Sequence, residues 1–164
     1  MDRLEPTELA AELDKYDPGY LPEPLFLSII RLAVLTAIEF IPLRKGPNGA
    51  IQVLLFKRPA EDPIWPNMSH TPGTVVRPTD ATFEDAFVRL FKDELHMDNS
   101  IEPIFVKTEI IQYKRGAGTA IEYIIPFNQE PSEGIFYDID NLPLDLIQEQ
   151  KPMIISAAEK FSML

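Results

Sequence analysis

Asp93 and Glu94, two neighbouring carboxylates near the end of an amphipathic helix, are the residues whose types and spacing point most directly to chemistry. The segment Thr82 to His96 opens with a capping-box pattern, Thr82 to Asp85, and continues in helical period. At about 100° per residue, Phe83, Ala86, Phe87, Leu90 and Phe91 share one apolar stripe, and Glu94 falls about 20° from Phe83, near its centre. A carboxylate there must be neutral, paired with a base such as Arg89, bound to a metal, or sited where the stripe runs out of the core. Adjacent carboxylates at a helix end can converge on one hard cation, with waters and a backbone carbonyl completing the shell. Spacing alone leaves both readings open, the ion-paired or frayed helix end and the metal site.

Other side chains offer less specific chemistry. His70 and His96 are the only histidines, and an unperturbed imidazole titrates near neutrality, so either is a base or ligand candidate; His96 equally suits the negative end of a helix. Trp65 can stack on a base or sugar or anchor a core. Arg58, at the end of a strand beside Lys57, can face a phosphate as an arginine fork does or simply be solvated. Lys114 and Arg115 fall in a hairpin turn and read as solvated.

The chain that must position these groups has 164 residues, 15 basic and 26 acidic, for a net charge of −11. That balance argues against general binding of nucleic acid polymers or anionic membranes, and any anionic substrate would need a metal bridge. Without cysteine there are no disulfides, thiolate zinc sites or cysteine nucleophiles. Met1 to Tyr20 is acidic and lacks the basic-then-apolar layout of a signal peptide, so a cytoplasmic location is expected. The most apolar stretch, Leu25 to Phe40, is interrupted by Arg31 and Glu39 and reads as core rather than a membrane span.

Sixteen prolines cut the chain into short elements. Thr7 can cap a first short helix, and a second opens at Pro22 or Pro24. Strands are expected from Leu32 to Leu43 and Ile51 to Lys57, joined through Lys45-Gly46-Pro47-Asn48-Gly49. The helix of Phe83 to Met97 follows, then strands at Ile104 to Tyr113, Thr119 to Phe127 and Ile135 to Ile139, with Gly116 and Gly118 marking a hairpin. A terminal helix takes Pro152 in its first turn. Strands and helices interleave without a regular βαβ repeat, which gives an α/β (α+β) class with a mixed sheet between helices.

The order Pro72-Gly73-Thr74-Val75-Val76, then Asp80, then Ala86 and Arg89-Leu90-Phe91-Lys92-Asp93-Glu94 resembles the Nudix box, G-x5-E-x7-R-E-U-x-E-E-x-G-U with U aliphatic. The resemblance covers roughly residues 30 to 164 and includes Gly134 to Pro143, which is similar to the segment leading into the family's final helix. It implies the Nudix α/β/α sandwich over residues 31–164, with residues 1–30 as a helical extension packed on that domain. It also implies hydrolysis of a nucleoside diphosphate linked to another moiety by metal-assisted water.

The box is degenerate. Thr74 replaces the second of the usual paired glycines, one extra residue precedes Arg89 so that Asp80 is the nearest counterpart of the first glutamate, Leu90 replaces the glutamate after the arginine, and His96 replaces the closing glycine. Leu90 and Glu94 share a helix face, so a stacked carboxylate pair has become one carboxylate over a leucine. What remains implied is a single Mg2+ (or Mn2+) held by Glu94, Asp93 and Asp80, with Arg89 orienting the carboxylates and Glu94, Asp93 and Arg89 forming the catalytic set. Substrate contacts are expected from Arg58, Trp65, His70 and Gly73, and the family also supplies a base or extra ligand from positions such as Glu122, Glu130 or Glu133.

The run Ala86 to Leu90 followed by Glu94-Leu95 is similar to the GDP-mannose mannosyl hydrolase branch, which lacks the same glutamate and uses one metal. Trp65, Asn67, Ser69-His70 and Pro72 resemble isopentenyl diphosphate isomerase, whose cysteine is missing here. The expected activity is therefore a weakened Nudix-type hydrolase acting on a small nucleotide or phosphorylated ligand. The alternatives are a Nudix-fold nucleotide-binding or regulatory module without turnover and a dimer-forming structural protein, with a homodimer compatible with any of the three.

Overall fold

The computed structural model describes residues 5–98 and 101–164, so the first four residues of the Met1 to Tyr20 segment lie outside the described part. Two short helices, α1 (Pro6–Leu13) and α2 (Glu23–Ile30), precede a strand pair β1 (Leu35–Lys45) and β2 (Ile51–Lys57). Glu5, rather than Thr7, caps α1, because Pro6 fits the first helical position, where no amide is needed. The turn at Gly46 to Gly49 brings β1 and β2 together antiparallel, Leu43 opposite Val53. Two short strands follow, β3 (Ser69–His70) on β2 and β4 (Gly73–Val75) on β1, then α3 (Phe83–Arg89), β5 (Ile104–Tyr113), β6 (Gly116–Pro126), β7 (Ile135–Asp138) and α4 (Lys151–Ser162).

The strands form one mixed seven-stranded sheet whose main order is β3-β2-β1-β6-β5, with β4 also on β1 and β7 on β2. β1 and β6 pair in parallel at its centre, and the other pairings are antiparallel. Alternation along the strands feeds two cores. Ile38, Phe40, Leu54, Ile125 and Phe127 pack against Ala86, Phe87, Leu90, Phe91 and Leu95 on the α3 side. Ile41, Leu43, Val53, Leu55 and Ile124 pack against Ile154, Ala157 and Ala158 of α4 on the other. The result is the α/β/α sandwich expected from the sequence. Among the described residues no helix is long and apolar enough to cross a membrane.

The helix from Phe83, with its Asp93-Glu94 end, departs from ideal period. Thr82 caps α3 reciprocally with Asp85, but after Arg89 the helix widens into a π segment, Leu90–Glu94, in which the Leu95 amide donates to the Leu90 carbonyl at 3.0 Å. A π turn takes more residues per revolution, so extrapolation at 100° overshoots at its end. Leu95 is the residue buried there, Glu94 sits half-buried at the edge, and Phe83 at the other end is exposed. His96 ends the segment with φ 51°, the left-handed conformation that a glycine adopts without strain.

Candidate functional site

The site begins with one row of residues across the sheet. Glu39 on β1 stands opposite Gly73 on β4 and beside Glu122 on β6, and Glu122 is in turn opposite Lys107 on β5. All three charged residues face the α4 side, where Glu39 is 4% and Glu122 0% exposed. Gly73 has no side chain, and a Cβ there would collide with the Glu39 carboxylate. The Tyr113 hydroxyl donates to Glu39 Oε1 at 3.1 Å, and Gln150 Nε2 donates to Oε2 at 3.4 Å. Burial raises Glu39 to about 7, against the lowering influence of Tyr113, Arg115 and Gln150, with the Glu94 charge raising it further. Burial also raises Glu122, reinforced by Glu109, although the Lys107 ammonium lies 3.8 Å away. Among the described residues neither Glu122 oxygen has a hydrogen-bond partner.

Above Glu39 opens a cavity of about 510 Å³. Its walls come from β1, the segment from His70 to Pro78, the β5–β6 hairpin, the residues before α4, and the N-terminal segment, which contributes Tyr20, Phe26 and Ile29. Trp65 is fixed by Asp62, whose Oδ1 accepts from the amides of Ile64 at 3.0 Å and Trp65 at 2.8 Å while its other oxygen pairs with Arg58. Burial opposes ionisation of Asp62, yet these hydrogen bonds hold it down at about 2. The Trp65 ring meets Tyr113 edge-on at 6.1 Å. The Arg115 guanidinium lies 5.3 Å from the Trp65 ring centre, 5.5 Å from Tyr113 and 6.0 Å from Phe26. Arg115, expected to be solvated in its turn, is instead half-buried, because the end of α2 folds over the hairpin, the Ile30 carbonyl lying where Gly116 would carry a Cβ.

His70 is buried on β3, and its Nδ1 lies 2.8 Å from the Thr71 carbonyl, which can only accept, so the proton is on Nδ1. Burial first, then Arg58, lowers its pKa to about 4, leaving a neutral imidazole at pH 7. The four substrate-contact candidates, Arg58, Trp65, His70 and Gly73, thus all line this cavity. Glu39, Tyr113 and Gln150 line the cavity without being site candidates in the sequence, and Arg115 lines it although its turn reads as solvated. A carboxylate inside an apolar strand was the available signal for Glu39.

The metal candidates Asp80, Asp93 and Glu94 do not line that cavity. Asp80 uses Oδ1 for the Arg89 guanidinium and Oδ2 for the Arg77 amide at 2.7 Å, and Arg89 also donates to the Val75 carbonyl at 3.2 Å. Despite the penalty of burial, Arg89 and the Arg77 amide lower the Asp80 pKa. Asp93 is exposed. Glu94 has its pKa raised chiefly by burial and also by Asp93, opposed by Arg58 and His96. Among the described residues no three His, Asp or Glu side chains converge as a metal cluster. With Asp80 occupied on both oxygens, the donor set falls short of the oxygen-rich shell that Mg2+ prefers. Glu130 meets Arg44 at 3.3 Å and Glu133 meets His96 at 3.6 Å, both near the surface.

No protein-family model and no curated protein matches the sequence. Solved structures do match. The Nudix domain of Shewanella oneidensis NrtR, complexed with ADP ribose, has a TM-score of 0.61 at 17% identity over 93% of this chain and 97% of that one. A MutT/Nudix family protein from Listeria innocua gives 0.61 at 19% over 79% and 94%. The Caenorhabditis elegans Ap4A hydrolase gives 0.57 at 18% over 80% and 98%. The chain has the Nudix fold.

Proposed function

We propose that this chain is a Nudix-fold module that binds a small nucleotide or other phosphorylated ligand in the cavity above Glu39. The observation that carries this reading is the contrast between an open, polar-floored cavity and a box whose first acidic residue is held by the box arginine. Arg58, Arg77 and Arg115 line the cavity and give an anionic group its counter-charge within a chain of net charge −11. Binding of ADP ribose by the NrtR domain supports the ligand class.

A second reading, the weakened hydrolase, is favoured by Glu94, a half-buried carboxylate with exposed Asp93 beside it. In that reading Glu94 and Asp93 would hold a single Mg2+ or Mn2+ only with water and ligand oxygens supplying the donors the protein lacks, and Arg89 acts as a positioning residue by holding Asp80. The ion would polarise a phosphoryl oxygen and activate water. Titration of ADP-ribose with and without Mg2+, with phosphate and nucleotide products followed in the same samples, separates the two. Binding without consumption supports the module. Metal-dependent turnover that disappears in Glu94→Gln supports the hydrolase.

A further inference from the structure

The cavity floor is acidic, and an anion-binding site has no use for an acid there. Glu39 is the carboxyl in question, and the residues around it that belong to the cavity wall are largely apolar or aromatic, among them Ala37, Trp65 and Ile147. The cationic side chains Arg58, Arg77 and Arg115 draw the phosphorylated end of a ligand, and a carboxyl in either protonation state offers an anion no counter-charge, so the part that meets Glu39 is a neutral one. The carboxyl is held in place by Tyr113 and Gln150 and by the space left at Gly73, so it is a fixed edge and not a swinging side chain. A protonated carboxyl donates and accepts side by side, whereas a carboxylate only accepts. The Tyr113 ring, whose hydroxyl reaches Glu39, stands beside it in the cavity wall, edge-on to Trp65, and gives a ligand ring an aromatic neighbour.

We propose that Glu39 is the specificity-determining residue of the cavity, pairing through its carboxyl with the donor-and-acceptor edge of a neutral heteroaromatic ring on the ligand. The proposal rests on the reading of this cavity as a ligand site. Five neighbours act on Glu39: Tyr113 of the β5–β6 hairpin and Gln150 of the turn before α4 hydrogen-bond it, Arg115 of the hairpin attracts its charge, and Glu122 on β6 and Glu94 on the π segment of the other face repel it. With Glu39 raised to about 7, its protonated form is the major one at pH 6 and a small minority at pH 8.5. His70, held at about 4, stays neutral across that range.

The single tryptophan lines the cavity, so its fluorescence reports occupancy directly. Adenosine, whose N6 amino donor lies beside the N7 acceptor, and purine riboside, which lacks the amino group, are titrated at pH 6 and pH 8.5 into the wild type and Glu39→Gln. ADP-ribose serves as the reference ligand and circular dichroism as the check of fold. The wild type should bind adenosine at pH 6 about ten-fold more tightly than purine riboside, and on the order of ten-fold or more weaker at pH 8.5 as the competent fraction falls. Glu39→Gln keeps a donor and an acceptor at every pH and should bind adenosine equally at both.

Equal binding of the two nucleosides by the wild type overturns the proposal. So does a pH dependence that survives in Glu39→Gln, which would assign the effect to Glu122 or another neighbour. If ADP-ribose binds and adenosine does not, the role of Glu39 is refuted while the cavity remains a ligand site. If no probe binds, the reading of the cavity falls and the proposal falls with it.

Discussion

Gly73 and Glu39 stand opposite each other across the β4–β1 pair, and the side chain that Gly73 lacks is the space the Glu39 carboxylate fills. The glycine that opens the box-like segment is thereby tied to a buried acid three strands earlier in the chain. Its positional requirement here is steric, with the Glu39 carboxylate as the neighbour that would have to give up its hydrogen bonds with Tyr113 and Gln150 to move aside.

Gly73→Ala should therefore destabilise the fold by about 1–3 kcal/mol, the usual cost of overpacking. The cost should shrink when Glu39→Ala is added, since the colliding group is gone. Urea unfolding of the two single variants and the double variant measures the coupling; strictly additive effects would refute the steric link.

Glu39 should also leave a signature in stability against pH. Its pKa is raised on folding from 4.5 to about 7, so the native state holds a proton that the unfolded chain has released. The favourable contribution is complete below about 4.5 and is lost as pH rises through 7. Relative to Glu39→Gln, the wild type should lose on the order of 1–3 kcal/mol between pH 4.5 and pH 7.5. Chemical denaturation at intervals across that range provides the comparison, and parallel curves for the two proteins would contradict it.

The Asp80–Arg89 pair has the opposite sign. The Asp80 pKa lies below its ordinary value of 3.8, so its contribution is present above that pH and is lost as pH falls through the folded pKa. Arg89→Met should destabilise the protein at pH 7 by about 1–3 kcal/mol, because it strands a largely buried carboxylate. The deficit should narrow in acid, where Asp80 becomes neutral, and thermal melts at pH 7 and pH 3 read both effects.

The elements with strong period were legible in the sequence. The bounds of β2 and β5 are as expected, and α3 starts where its cap pattern places it, because each has enough residues to repeat a pattern. β3 and β4 have two and three residues, too few to show alternation, and they exist because β2 and β1 supply their partners. Trp65, His70 and Gly73, singled out by residue type, and Arg58, by its position at a strand end, fall in the cavity wall. A carboxylate in an apolar pattern is the signal at Glu39 even more than at Glu94, since Glu39 interrupts an apolar run in the sequence and is the more deeply buried of the two. Arg115 was hidden because its burial depends on α2, some eighty residues earlier in the chain, closing over its turn.

Arg115 should matter to ligands more than to folding. Its guanidinium rests over Trp65, Tyr113 and Phe26 and forms no ion pair among the described residues. Arg115→Met keeps much of the packing and removes the charge, so ADP-ribose should bind about ten-fold or more weakly while the melting temperature changes little. Unchanged affinity by Trp65 fluorescence would remove Arg115 from the anion-binding end of the cavity.

The most direct measurement is calorimetric titration of ADP-ribose into the protein in EDTA, followed by Mg2+ addition and chromatography of the same sample after prolonged incubation. A Nudix-fold binding module gives saturable binding in EDTA and recovers the ligand intact after Mg2+ is added. No binding at all, or metal-dependent conversion of the ligand that Glu94→Gln abolishes, would contradict it.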